Sequence, residues 1–255
     1  MPKEMIKFIV PTLLLVNACA ASKKGYHQKS IYSTHVQDSF HIEIKEVTRN
    51  EDLPMHSIYV LDAKLDDRVS RLSDSLALDS LEFNYRIIGI GQTHFSKSLR
   101  QRDFVPPADG SFFSKNASYT GDAENFYRFI TTRVMQEYDA QSDYRVLLGH
   151  SYSGLFGVYV STHLENHFDK IYAISPSLWI NYSDFLSNYE RDSSLHINTS
   201  LHILYGSLEE LNKVAPAIER FQKILKPDDF KSVAIKEIKW AGHKSILEEI
   251  YTLEY

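Results

Sequence analysis

The segment Val146-Leu147-Leu148-Gly149-His150-Ser151-Tyr152-Ser153-Gly154 runs a buried-type apolar strand straight into a turn with a serine at its tip. A serine hydroxyl between a strand and a helix is the layout of a nucleophile elbow, G-x-S-x-G. Small residues are needed on both sides of the serine because strand and helix backbones come close there. The strained turn thrusts the hydroxyl out of the sheet, and the helix N-terminus behind it favours developing negative charge. The match departs in one place: Ser153 stands where the pattern has Gly, and a glycine follows at Gly154. Such a serine can attack an acyl carbon only if a base takes its proton, and the base needs an orienting acid.

In this architecture the chain order is serine, acid, histidine, each after a strand. His243, in Trp240-Ala241-Gly242-His243-Lys244 after the last strand, is the expected base. His163, His167, His196 and His202 fall on helices, a polar linker or mid-strand, and His150 is expected to pack or hydrogen-bond under the elbow. The acid is expected after Leu201–Gly206 at Glu209, three residues past the glycine. Its neighbour Glu210, or a Ser–His dyad with no acid, is the alternative.

These residues must be carried on a sheet. Ser57–Leu61, Tyr85–Ile90, Tyr144–Leu148, Lys170–Ser175, Leu201–Tyr205 and Val233–Ile238 read as strands, with helical patterns at Asp66–Leu78, Asp122–Tyr138, from Tyr152, Leu208–Lys226 and Lys244–Tyr255. Alternation of that kind implies an α/β class: a mostly parallel sheet with helices on both faces. Ile31–His35 and Phe40–Val47 have no helix between them and are expected as an antiparallel N-terminal edge. Gln92–Gly121 has little periodicity and reads as a long loop, usually functional at that length. The chain has 255 residues, 28 Lys and Arg against 33 Asp and Glu, and a net charge of −5. That balance excludes the basic stripe of a nucleic-acid binder. No linker rich in Gly, Ser or Pro divides residues 30–255, which are read as a single domain.

The N-terminus reads as an address. Lys3 and Lys7 accompany an apolar stretch from Ile6 to Val16, which ends in Val16-Asn17-Ala18-Cys19-Ala20. It is shorter than the about 20 residues that cross a bilayer. Residues 1–19 are therefore expected to be a secretory signal. The sole cysteine, Cys19, sits where a bacterial lipoprotein signal would be lipidated, and residues 20–29 are expected as a tether. The expectation is an exported, periplasmic or outer-membrane protein that meets the membrane only through a lipid anchor.

Several stretches in order, Tyr59-Val60-Leu61-Asp62, Ile88-Gly89-Ile90-Gly91, Arg102-Asp103-Phe104-Val105-Pro106-Pro107, Gly149-His150-Ser151-Tyr152-Ser153-Gly154 and Ile174-Ser175-Pro176-Ser177-Leu178-Trp179, resemble the esterase D-type branch of the α/β hydrolases, nearest its ferric-enterobactin esterase-like members. The resemblance spans about Ile31 to Leu247. It implies an α/β-hydrolase fold and a serine carboxylic-ester hydrolase needing neither metal nor cofactor. Ser151 would be the nucleophile and His243 the base, with an oxyanion hole from the backbone N–H groups of Tyr152 and Lys64. Ala63 stands where that family commonly has Gly. Arg102 would contact an acidic group of the substrate or else pair with Asp103, and Trp179 would line the substrate site. The substrate would be a siderophore ester or an acylated polysaccharide. An inactive binding lipoprotein on the same fold, or an acyltransferase, is the alternative.

Overall fold

Eight strands form one sheet: β1 (Tyr26–Ser33), β2 (Asp38–Val47), β3 (Met55–Leu61), β4 (Asn84–Gln92), β5 (Tyr144–His150), β6 (Lys170–Ile174), β7 (Ser200–Gly206) and β8 (Ser232–Ile238). Their spatial order is β1-β2-β4-β3-β5-β6-β7-β8. The computed structural model describes residues 26–63, 67–78, 82–107, 121–165, 167–180, 198–209 and 213–255. β3 to β8 run parallel, and β2 is antiparallel to both β1 and β4. The expected antiparallel edge is therefore present. It begins earlier than read: residues 26–29 pair with β2, Tyr26 opposite Lys45, and are strand where a tether was expected. The side chains from His27 to Ser30 are exposed. An edge strand is held by main-chain hydrogen bonds and needs no apolar pattern there, so its polar sequence hid it.

The central strands alternate between two cores, as strands covered on both faces must. Tyr59 and Leu61 of β3 and Leu147 of β5 face α2 (Lys97–Phe104), α3 (Ala123–Phe129) and α5 (Tyr152–His163), together with Phe104, Phe126 and Phe156. Ile58, Val60, Val146 and Leu148 face α1 (Arg68–Leu78) and the 3-10 segment Ser245–Thr252, with Val69, Leu72, Ile246 and Ile250. Every residue of α5 from Tyr152 to Thr162 is buried, so this helix has no solvent face. Between α3 and α4 (Met135–Tyr138) the helix passes through one π turn, Ile130–Val134. α6 (Val214–Ile224) packs Ile218 and Phe221 into the first core. The final segment is 3-10 rather than the expected helix to Tyr255.

Because β3, β5, β7 and β8 are parallel, the residues just past their ends, Asp62, Ser151, Glu209 and His243, gather at one edge of the sheet. That is where open parallel sheets place their ligands. The opposite end is pinned by a buried carboxylate. Asp139 accepts from Ser57 Oγ at 2.5 Å, Tyr59 OH at 2.7 Å and Arg145 Nε at 2.7 Å.

Removing one member of a buried ion pair costs about 3–5 kcal/mol. Because Arg145 keeps some contact with water, Asp139→Ala should lie near the low end, about 3 kcal/mol. The midpoint of denaturant unfolding reads this, and a midpoint within experimental scatter of the parent would refute the pinning role.

Candidate active site

β5 ends at His150, and the chain turns at Ser151 with φ 63° and ψ −114° before entering α5. The turn is tight enough to dictate sequence. A Cβ on Gly149 would collide with the Ser153 carbonyl, and one on Gly154 would meet the Ile174 carbonyl at 2.9 Å and Pro176 Cα at 3.1 Å. The close approach after the nucleophile thus falls at residue 154, and a side chain is tolerated at 153. Ser153 is fully buried under the elbow. Its Oγ accepts the His150 N–H at 2.9 Å and lies 2.9 Å from both Asp62 Oδ2 and the His150 carbonyl. The departure from the elbow pattern is an anchoring hydroxyl rather than a defect.

Asp62, with φ 60°, ends β3 and is almost wholly buried. Arg100 grips both its oxygens, Nε to Oδ1 and Nη2 to Oδ2, each at 2.8 Å, and reaches the His150 carbonyl at 3.4 Å. Its guanidinium also lies 5.2 Å from the centre of the Tyr152 ring. Arg100 therefore ties β3, α2 and the elbow together. Sequence reasoning missed it, because residues 92–121 read as loop and α2 was not anticipated.

Arg102, two residues on, has different partners. Two residues along a helix are about 200° apart, so Arg102 points away from the elbow. Its Nε and Nη2 bind Asp103 at 2.6 and 3.2 Å, and its Nη1 binds Asp38 at 2.8 Å. Of the two readings of this arginine, the pair with Asp103 is present, and three of its five N–H donors go to the two carboxylates.

Glu209 closes the tight turn after β7. Its Oε1 accepts the Gly206 N–H at 2.8 Å and the Ser175 hydroxyl. Its Oε2 lies 3.0 Å from His243 Nδ1. Burial alone would push this carboxyl up, but the hydrogen bonds from His243, Ser175 and Gly206 outweigh it and hold the group below the usual glutamate range. The loops carrying the pair are pressed together. A Cβ on Gly206 would strike the Ala241 carbonyl, and Leu208 N–H donates to that same carbonyl at 2.9 Å.

Ser151, Ser177, Trp179, Glu209, Lys213 and His243 line one cleft of about 180 Å³. The Ser151 hydroxyl is 3.2 Å from Ser177 Oγ and makes no hydrogen bond to His243 among the described residues. In substrate-free enzymes such bonds are often long and tighten on binding. Trp179 stands in the cleft wall, with Lys213 Nζ 5.6 Å from its ring centre. Ser175 and Ser177 were within the quoted Ser-Pro-Ser-Leu-Trp stretch but had no role assigned. Their position just past β6, between the strands of nucleophile and acid, is the signal that could have found them. Tyr152 is the first residue of α5, where backbone N–H groups point out of the helix end. Lys64, Glu210 and Cys19 lie outside the described residues. Among the described residues no group of three or more His, Cys, Asp or Glu side chains gathers into a metal-binding set.

A serine on a strained strand–helix elbow, with a carboxylate-bound histidine beyond the last strand of an open parallel sheet, defines the α/β-hydrolase class. Within it, the chain belongs to the putative esterase family, whose sequence profile matches residues 33–212. The BES protein from Bacillus cereus is similar over 99% of this chain and 97% of its own, at 21% identity and a TM-score of 0.71. Siderophore hydrolase EstB from Aspergillus nidulans matches 89% and 92% of the two chains, at 17% identity and a TM-score of 0.74. The enterobactin and salmochelin hydrolase IroE matches 90% and 94%, at 23% identity and a TM-score of 0.66. At these identities the likeness is one of fold. A search of curated proteins finds no match.

His150 is buried, and its imidazole is pushed down to about 3, chiefly by burial and next by the charges of His243, Arg68 and Arg100. An unfolded histidine takes its proton near about 6.5 while this one stays neutral, so the unfolded state binds more protons between those values. Stability should therefore fall as pH drops from about 6.5. Glu209 adds to the fall below about 4.5, because the stabilisation from its lowered carboxyl is present above the unfolded value and is lost as pH falls through the folded one. Thermal midpoints between pH 7 and 4 should show this, with a flatter profile above pH 4.5 in His150→Gln. Parallel profiles for parent and variant would refute the assignment.

Proposed function

We propose that this protein is a serine carboxylic-ester hydrolase that works through an acyl-enzyme. The observation that carries the reading is the 3.0 Å contact of His243 Nδ1 with buried Glu209, in the same cleft as the Ser151 hydroxyl. Glu209 accepts from Nδ1–H and so leaves Nε2 as the basic nitrogen. Ser151 Oγ attacks the ester carbonyl carbon as Nε2 takes its proton. The charge that forms on the carbonyl oxygen is met by the Tyr152 N–H, with Lys64 N–H proposed as the second donor. One such donor is worth about 10²–10³ in turnover. The imidazolium then protonates the leaving alcohol oxygen as the C–O bond breaks. Water, deprotonated by Nε2, attacks the acyl carbon, and the imidazolium returns that proton to Ser151 Oγ as the acyl C–Oγ bond breaks, freeing the acid and the serine hydroxyl.

For substrate, a siderophore ester is favoured over an acylated polysaccharide. EstB and IroE, which share this fold, are siderophore and enterobactin hydrolases, and the aromatic Trp179 beside Lys213 suits an electron-rich aromatic ester. The N-terminal address supports export, with Cys19 as the lipid attachment point. Among the described residues no helix is long and apolar enough to cross a membrane.

Three substitutions test the reading. On short-chain nitrophenyl esters and on enterobactin, Ser151→Ala should lower turnover on the order of 10⁶-fold. Glu209→Gln should lower it about 10⁴-fold. Turnover surviving Ser151→Ala would remove the nucleophile, and near-parent turnover in Glu209→Gln would leave a Ser–His dyad. Separately, Cys19→Ser should move the protein from the membrane to the soluble exported fraction. An unchanged membrane fraction would rule out lipid anchoring at Cys19.

A further inference from the structure

A catalytic histidine on an exposed loop has to be fixed at more than one point. The His243 side chain is 46% exposed, and Glu209 holds it only at Nδ1. One hydrogen bond fixes a point and leaves the ring free to pivot about it. The loop is tied to β7's turn through Trp240 N–H to Ser207 Oγ and through the Ala241 carbonyl, and, among the described residues, Gly242 and Lys244 on either side of His243 bond only to the segment that follows. Among the described residues, the hydrogen bond to the His243 main chain comes from His150, whose Nε2 lies 2.7 Å from the His243 carbonyl oxygen. A carbonyl only accepts, so the imidazole of His150 carries its proton on Nε2. The two rings pack with centroids 4.6 Å apart at 42°.

His150 is itself rigid. It pairs opposite Ile174 in the sheet, donates its N–H to Ser153 Oγ, and presents its carbonyl to Ser153 and Arg100. It is also the residue directly before Ser151. The spacing between the elbow and the base is thus measured from the elbow's own strand rather than relayed through the rest of the fold.

We propose that His150 is a positioning residue for the reaction: by donating Nε2–H to the His243 carbonyl and packing against its ring, it sets His243 at reach of the Ser151 hydroxyl. The proposal rests on the ester-hydrolase reading. It also explains why burial and neutrality matter here, since a charged His150 would set a second cation beside His243 as that ring takes the serine's proton.

The test is steady-state hydrolysis of a nitrophenyl ester by the full chain carrying His150→Phe, His150→Asn or His150→Gln. Phe keeps the ring but has no donor, the Asn donor is too short to reach, and the Gln amide nitrogen reaches the place of Nε2. A misplacement of about 1 Å costs about 10²-fold, so Phe and Asn should lower kcat by about 10–100-fold with KM within about twofold. Gln should recover most of that loss, and labelling of Ser151 by a fluorophosphonate should slow in step with kcat. If the Phe variant does not fold, Asn carries the comparison against Gln, with folding read from the thermal midpoint. Near-parent kcat in both Phe and Asn, or a Gln variant as impaired as either, overturns the proposal. Survival of activity in Ser151→Ala would instead overturn the ester-hydrolase reading, whatever the His150 variants do.

Discussion

The backbone of Ser151 lies in the left-handed region, where an L-residue costs on the order of 1–3 kcal/mol. Three hydrogen bonds hold it there, each to a different piece of the fold. Its N–H donates to the Ile174 carbonyl on β6 at 2.9 Å, and its carbonyl accepts from Leu155 in α5 at 2.9 Å and from Ser177 beyond β6 at 3.0 Å. Relaxing φ would break all three at once. Much of the surrounding sequence follows from keeping that turn. Gly149 and Gly154 permit the approach of strand and helix, Ser153 fills the space beneath, and Asp62 with Arg100 braces the neighbouring strand end.

Two buried carboxylates stand at the edge of the sheet, and their partners make them behave differently. Asp62 is bound through both oxygens by Arg100, whose planar fork matches the carboxylate. It is a fixed brace. Glu209 gives one oxygen to Ser175 and Gly206 and the other to His243. A carboxylate beyond one parallel strand thus braces the elbow, and a carboxylate beyond another holds the histidine loop.

The parallel sheet, the antiparallel edge and the three residues Ser151, Glu209 and His243 were legible because strand periodicity and the chain order of the elbow architecture constrain them locally. What was not legible depends on tertiary geometry. Residues 26–29 are polar and reveal themselves as strand only through their pairing with β2. Arg100 and Arg102 look alike in sequence, and only the phase of α2, a short helix without apolar periodicity, decides which one turns toward the elbow. His150 was expected to lie under the elbow, but its partner is 93 residues away, a distance no local pattern encodes.

That separation has a consequence for how the protein comes into being. The elbow closes from neighbours in the chain, whereas Glu209 and His243 arrive from β7 and β8, which are synthesised after it. Contacts of long sequence separation form late because the chain must first pay the entropy of closing the loop. A polypeptide still emerging has Ser151 without His243 beside it. On the proposed reading, hydrolytic competence is withheld until β8 has docked, and a partly made chain is chemically silent toward the esters around it.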